Sequence, residues 1–327
     1  MTEKPRFDLV SFLLARLEVP TALLCLAVVC SLLARYHLLF ELTSHFQHVY
    51  FAASLVSLAA FGWTKRRIWF CISLVPFVLS GVATAPYWGL SSSGSKAEAG
   101  DVSPLRVLFA NVHGSNRRHE LLGELVAREN PDVIVLAEVN GAWVKALDPL
   151  SEAYPHRLVH HREDNFGIAL FSRIPLESIR IIYPADHDVP AVEARLASPA
   201  GPMTIFGVHP LPPIRNDYFH ARNRQMAALG SLVAAEEGAA LIAGDFNATV
   251  WSPFFRDFLK SAGMEDARRG RGVLGSWPAG LPIFRIPIDH ILVGSEFRLL
   301  NLRLGPSIGS DHLPVLADVV AAPQVAR

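Results

Sequence analysis

The stretch GSDHLPVLADV, residues 309–319, sets an acid and an imidazole side by side on the lip of an apolar run. Gly309 leads into Ser310, Asp311 and His312, and the apolar residues that follow have the character of a buried strand. Alone, such a triplet is a turn whose Ser and Asp cap backbone N–H groups. Its meaning depends on whether other strands end in the same way, and they do. LRVLFA ends in Asn111, VIVLA in Glu138 and TIFGV in His209. LIAG runs into Asp245-Phe246-Asn247, and IDHILV opens on Asp289. One Asn or Asp after a strand is a turn residue, and one Glu is a solvated one. Six strand ends that all carry such groups form a set, because strand ends are where a rigid sheet holds side chains in a stable geometry.

The rest of the region agrees. Residues 117–130 place Leu121, Leu122, Leu125 and Val126 at helical spacing and stop before Pro131. Further helices are predicted over about 218–236 and near 253–262, between the strands DVIVLAEV, GIALFSR, MTIFGVH, ALIAGDFN, IDHILVG and VLADVV. This alternation, with no internal repeat, predicts one α/β domain over 105–321. The polar set contains carboxylates, amides and imidazoles, with no nucleophilic Ser motif and no Cys. Carboxylate and amide oxygens suit a hard cation such as Mg²⁺, with Mn²⁺ as a substitute. A zinc site would show close His or Cys spacing, which is absent. Metal-assisted hydrolysis of a phosphate ester fits this inventory.

The segments LFANVH, PDVIVLAEV, FGIALFSR, FGVHPLPP, IAGDFNA, IDHILV and GSDHLPV, in this order, resemble the endonuclease/exonuclease/phosphatase superfamily over about two thirds of the chain. The resemblance implies a deoxyribonuclease I-like four-layer sandwich, two mixed β-sheets flanked by helices. It implies Glu138 as the primary metal ligand, with Asn111 and Asp311 completing the shell directly or through water. Asp245 would orient and deprotonate the attacking water, and Asn247 would hydrogen-bond the phosphoryl oxygen. His312, with Asp289 accepting its other ring N–H, would contact the phosphoryl group, and His209 would protonate the leaving oxygen. His290, next to Asp289, faces the other side of its strand and reads as structural. Arg222 and Gln225 are weighed equally as packing and substrate contacts, Trp277 as packing or a rim facing lipid or a base, and RRGRG at 268–272 as a phosphate-steering or solvated loop.

The N-terminal third differs. Residues 19–34, 49–64 and 68–90 contain no charged residue, and mean hydropathy over the chain is +0.29. Three transmembrane helices are expected, at about 17–38, 47–64 and 68–90, giving a membrane region 1–90 and a small, polar linker 91–104. The competing readings are a buried helical hairpin, or a signal peptide followed by one helix. Lys4, Arg6 and Arg16 precede the first span and Lys65, Arg66 and Arg67 precede the third, whereas 36–48 has no Lys or Arg. By the positive-inside rule, the domain after the third span lies outside the cytoplasmic (inner) membrane. Cys25, Cys30 and Cys71 all fall in the apolar region, so the C-terminal domain has no disulfide.

Formal net charge is zero, and from residue 105 onward 22 Lys and Arg stand against 24 Asp and Glu. A nuclease that grips many phosphates carries a basic face. The expected activity is therefore a membrane-anchored, Mg²⁺-dependent phosphoesterase acting on a phosphate ester at the bilayer, such as a lipid head group. The alternatives are an extracytoplasmic DNA or RNA nuclease and an inactive, membrane-anchored binding module.

Overall fold

The computed structural model describes residues 9–89, 104–198 and 201–322, and the expected linker 91–104 lies almost wholly outside them. The chain divides into two compact units between Pro86 and Tyr87.

The first unit is helical: α1 (Leu9–Ser31), a short α2 (Leu38–Ser44), α3 (Gln47–Trp63) and α4 (Arg67–Thr84). Its burial pattern is inverted. Leu23, Leu26, Val56 and Val82 are exposed, while Thr21, Ser54, Ser57, Ser73 and Ser80 are buried. Thr21 and Ser57 share a hydrogen bond of 3.1 Å between α1 and α3. Gly81 lets the Phe51 ring approach α4, since a Cβ there would lie 3.2 Å from it. Among the described residues one segment, Arg67–Tyr87, is long and apolar enough to cross a membrane. The helix α3 falls short by length, with 17 residues. The third apolar run is read to residue 90, but its helix ends at Thr84.

The second unit is built on two six-stranded sheets. The strands are β1 (Leu105–Asn111), β2 (Val133–Ala137), β3 (His156–His160), β4 (Ile168–Ser172), β5 (Ser178–Ile182), β6 (Ala191–Ser198), β7 (Gly201–Val208), β8 (Ala239–Asp245), β9 (Met264–Glu265), β10 (Asp289–Gly294), β11 (Phe297–Leu304) and β12 (Val315–Ala321). One sheet runs β11-β12-β1-β2-β4-β3, the other β5-β6-β7-β8-β10-β9. Each has one parallel pair at its centre, β1–β2 and β7–β8, among antiparallel neighbours. Alternation along β1 explains the layering. Val107 and Phe109 join Val135, Leu241, Ala243 and Ile291 between the sheets. Leu108 and Ala110 pack outward against Leu122, Leu125 and Trp143 of α5 (His119–Glu129) and α6 (Gly141–Leu147). On the second sheet, beyond α7 (Asn216–Ala234), Phe246 at the end of β8 meets Phe255 and Phe258 of α8 (Pro253–Ala262) at ring separations of 5.2 Å. Helices therefore flank two mixed sheets, as expected.

This topology positions the polar set. Asn111 and Ala137 pair at the C-terminal ends of β1 and β2, so Glu138 follows beside Asn111. Val208 pairs with Gly244, which places His209 and Asp245 next in line. β10 and β12 run antiparallel to these strands, so their beginnings, Asp289 and the 310–312 triplet, reach the same end. Ligand sites form outside the carboxyl ends of parallel strands because the chain leaves the sheet there.

Candidate active site

Asp245 is the centre of the cluster. It is 1% exposed, and one carboxylate oxygen, Oδ1, accepts the Asn247 N–H at 2.9 Å. Three groups converge on the other oxygen, Oδ2. Asn111 Nδ2 donates to it at 3.1 Å, His209 Nε2 lies 3.6 Å away and His312 Nε2 3.8 Å away. Behind His312, Nδ1 meets both Asp289 oxygens, at 2.9 and 3.0 Å, and Asp289 is fully buried. The acid and imidazole that the sequence reading pairs are thus in hydrogen-bond contact.

Local geometry aims these side chains. Glu138 has φ 63° and Asn247 φ 49°, both left-handed, so the chain turns sharply as each leaves its strand. Gly309 has φ 86°, and a Cβ on it would lie 2.7 Å from Asn116 Oδ1. Ser310 then ties the triplet to β1, its hydroxyl donating to the Asn111 carbonyl at 2.8 Å and accepting the His312 N–H at 3.1 Å.

Electrostatics follow from burial. Desolvation and the facing Asp289 push the Asp245 carboxyl up to about 6, against the lowering influence of His312, His209 and the Asn247 N–H. For His312, burial pulls the imidazole down, but Asp289, Asp245 and the Asp289 hydrogen bond outweigh it and hold the pKa at about 10. The protonated imidazole is therefore the form these two carboxylates favour.

Glu138 is half-buried, one oxygen accepting Asn111 Nδ2 at 2.9 Å and the other the Gly114 N–H at 3.2 Å. Its remaining lone pairs are open to a cation. Asp311 is exposed; Oδ2 accepts the Trp277 indole N–H at 3.1 Å and Oδ1 lies 3.5 Å from His113 Nδ1. Asn111 Oδ1 accepts the His113 N–H at 3.0 Å, which commits its amide oxygen and turns its NH₂ toward Glu138 and Asp245. Asn111 thus bridges two acids, and only its second lone pair could serve an ion. A further group of donor atoms, on Asp245, Asp289 and His312, lies within 4.8 Å. These carboxylates, with no cysteine in the second unit, fit a divalent cation held by oxygen.

The structure sorts the remaining residues. His290 is buried on the opposite side, where Nε2 meets the Ala248 carbonyl at 2.9 Å, and burial followed by the Arg268 charge holds its pKa well below the ordinary range. Arg222 is fully buried and donates to the Asn247 carbonyl at 2.9 Å, so it braces the loop. Gln225 accepts the Leu211 N–H at 3.1 Å. His113 was not singled out by sequence reasoning; an imidazole two residues beyond Asn111 was its only signal. The sequence places Arg268 in a phosphate-steering or solvated loop, whereas the fold buries it fully.

The model of the Endonuclease/Exonuclease/phosphatase family matches residues 108–312, more than half of the chain. A comparison with curated proteins finds no match. Among solved structures, D. rerio TDP2 complexed with single-strand DNA product is similar, with TM-score 0.58, 16% identity, and coverage of 67% of this chain and 100% of that one. The 3′ phosphatase NExo from Neisseria, bound to a product DNA hairpin, gives TM-score 0.56 and 20% identity, covering 65% and 98%. An endonuclease/exonuclease/phosphatase from Beutenbergia cavernae gives 0.56 and 17%, covering 69% and 74%. These likenesses carry the fold, and the family match spans every strand end of the cluster from Asn111 to His312. The chain belongs to the endonuclease/exonuclease/phosphatase family and is a hydrolase of phosphate ester bonds.

Proposed function

We propose that this protein is a membrane-anchored, Mg²⁺-dependent phosphoesterase that acts on a phosphate ester at the outer face of the inner membrane, a lipid head group being the preferred substrate class. The observation that carries the reaction is the convergence of Asn111, His209 and His312 on one oxygen of Asp245. Glu138 would hold Mg²⁺, or Mn²⁺ in its place, with Asp311 and Asn111 in the outer shell. A divalent ion held there would supply neutralisation of the charge that develops on the phosphoryl oxygens. Asp245, through Oδ2, would take the proton of the attacking water. His312 Nε2–H and the free Asn247 amide hydrogen donate to the phosphoryl oxygens, and Asp289 fixes the tautomer by accepting Nδ1–H. His209 returns a proton to the leaving oxygen.

Two features support a lipid substrate. In the helical unit, apolar side chains face outward and hydroxyls inward, the arrangement favoured in a bilayer. In the hydrolase unit, the loop carrying Trp277 presents Leu281, Ile283 and Phe284 to solvent, and the Ala279 N–H donates to the Asp311 carbonyl at 2.7 Å. An apolar rim therefore borders the site. The second reading, an extracytoplasmic nuclease, draws on the DNA products held by two of the similar structures.

The deciding experiment assays the full chain in micelles on bis(p-nitrophenyl) phosphate, plasmid DNA and mixed phospholipids, with Mg²⁺ or excess EDTA. Release of a lipid head group, lost in EDTA and restored by Mg²⁺, is expected. Cleavage of DNA with lipids untouched would select the nuclease reading, and full activity in EDTA would remove the metal mechanism.

A further inference from the structure

Arg268 sits at the back of the cluster. It is fully buried, and one guanidinium nitrogen, NH2, donates to the backbone carbonyl of Asp289. The other, NH1, lies 2.9 Å from His290 Nδ1. A guanidinium only donates, so His290 Nδ1 is the acceptor and the ring proton resides on Nε2. That proton reaches the Ala248 carbonyl at 2.9 Å, in the loop that carries Asn247. One buried charge therefore holds both the strand end bearing Asp289 and, through His290, the loop bearing Asn247. The His290 ring is wedged against Phe255, centroids 4.3 Å apart, so the relay has little room to shift.

The outer end of this row is upstream of the matched family segment. Asp266, whose Oδ1 accepts the Arg268 backbone N–H at 3.1 Å, faces the hydroxyl of Tyr87. Tyr87 is the first residue of the second unit and only 6% exposed. Its ring packs edge-on against Trp251 at 6.0 Å, and its carbonyl accepts the Gly272 N–H at 2.9 Å.

We infer that Arg268 and His290 are positioning residues of the phosphoesterase, and that Tyr87 completes their support from outside residues 108–312. They touch no reacting atom; they hold Asp289 and the Asn247 loop in register. Removing such support lowers turnover about 10-fold to 100-fold. Because it acts on alignment in the transition state, kcat falls while KM stays within about two-fold.

The test uses the full chain in micelles, bis(p-nitrophenyl) phosphate and saturating Mg²⁺, with melting temperature recorded for every variant. Arg268→Met and His290→Phe should each lose kcat to this extent with KM unchanged. His290→Gln offers an acceptor and a donor again and should recover most of the loss. Tyr87→Ala should lower kcat several-fold while KM holds. Wild-type kcat in folded Arg268→Met or His290→Phe overturns the positioning role, as does a Gln variant no better than Phe. Wild-type kcat in Tyr87→Ala overturns the upstream support. Should Arg268→Met not fold, the two His290 variants decide. Hydrolysis of this soluble diester does not depend on the lipid reading.

Discussion

Asp289 and Asp245 are direct cross-strand partners of β10 and β8, an arrangement that would repel if both were charged and alone. The His312 ring relieves it, bonded to Asp289 and aimed at Asp245. This sharing predicts that His312 and Asp289 act as one unit. His312→Ala should lower turnover by roughly 10²–10⁴-fold, and Asp289→Asn by a similar or smaller factor. The double variant should match His312→Ala; losses that multiply would show the two to be independent. The same contacts predict a pH effect on stability. With the imidazole raised from its ordinary value of about 6.5 to about 10, its contribution is fully present below 6.5 and lost as pH rises through 10. Urea unfolding in EDTA should show wild-type stability falling across that window relative to His312→Asn, and parallel curves would contradict the assignment.

At the scale of elements, two loops bring outside features to the site. The segment before β10 is stitched to the triplet through Trp277, Ala279 and Ser276, whose carbonyl accepts the Leu313 N–H at 3.0 Å. Its tip exposes Ile283 by 77% and Phe284 by 51%, a cost in water that contact with lipid would remove. The double substitution Ile283→Ser, Phe284→Ser should leave hydrolysis of bis(p-nitrophenyl) phosphate near wild type and lower hydrolysis of a phospholipid in vesicles by about 10-fold, as lost apolar burial of a kcal/mol or more implies. Equal rates on both substrates would detach the rim from substrate recognition. The opposite loop is held by close packing: a Cβ on Gly167 would fall 1.8 Å from the Val139 carbonyl, next to Glu138.

At the scale of the whole molecule, the two units solve opposite problems. The hydrolase unit buries apolar side chains between and outside its sheets, and the helical unit buries hydroxyls and exposes apolar side chains. The lengths of α1 and α4, 23 and 18 residues, correspond to about 35 and 27 Å of helix, near the hydrocarbon thickness of a bilayer. The positive residues at 65–67 predict that the hydrolase unit is extracytoplasmic. A reporter active only in the periplasm, fused after Arg327, should be active; a silent one beside an active cytoplasmic reporter would reverse the orientation.

The α/β class, most strands and the residues that end them were legible because period-two apolar runs and their polar stops are local properties of the chain. GDFN and SDH could be read as site residues for the same reason. What no local pattern carries is pairing across long separations. The register that sets Asp289 against Asp245 joins residues 44 apart, and the contact of Ser310 with Asn111 spans 199. Arg268 shares its loop with Arg269 and Arg271, and nothing in RRGRG marks which arginine turns inward. Only the packed fold, with the Asp289 carbonyl and His290 Nδ1 waiting behind β10, selects Arg268, because a guanidinium is buried at tolerable cost only where hydrogen-bond acceptors meet its terminal nitrogens.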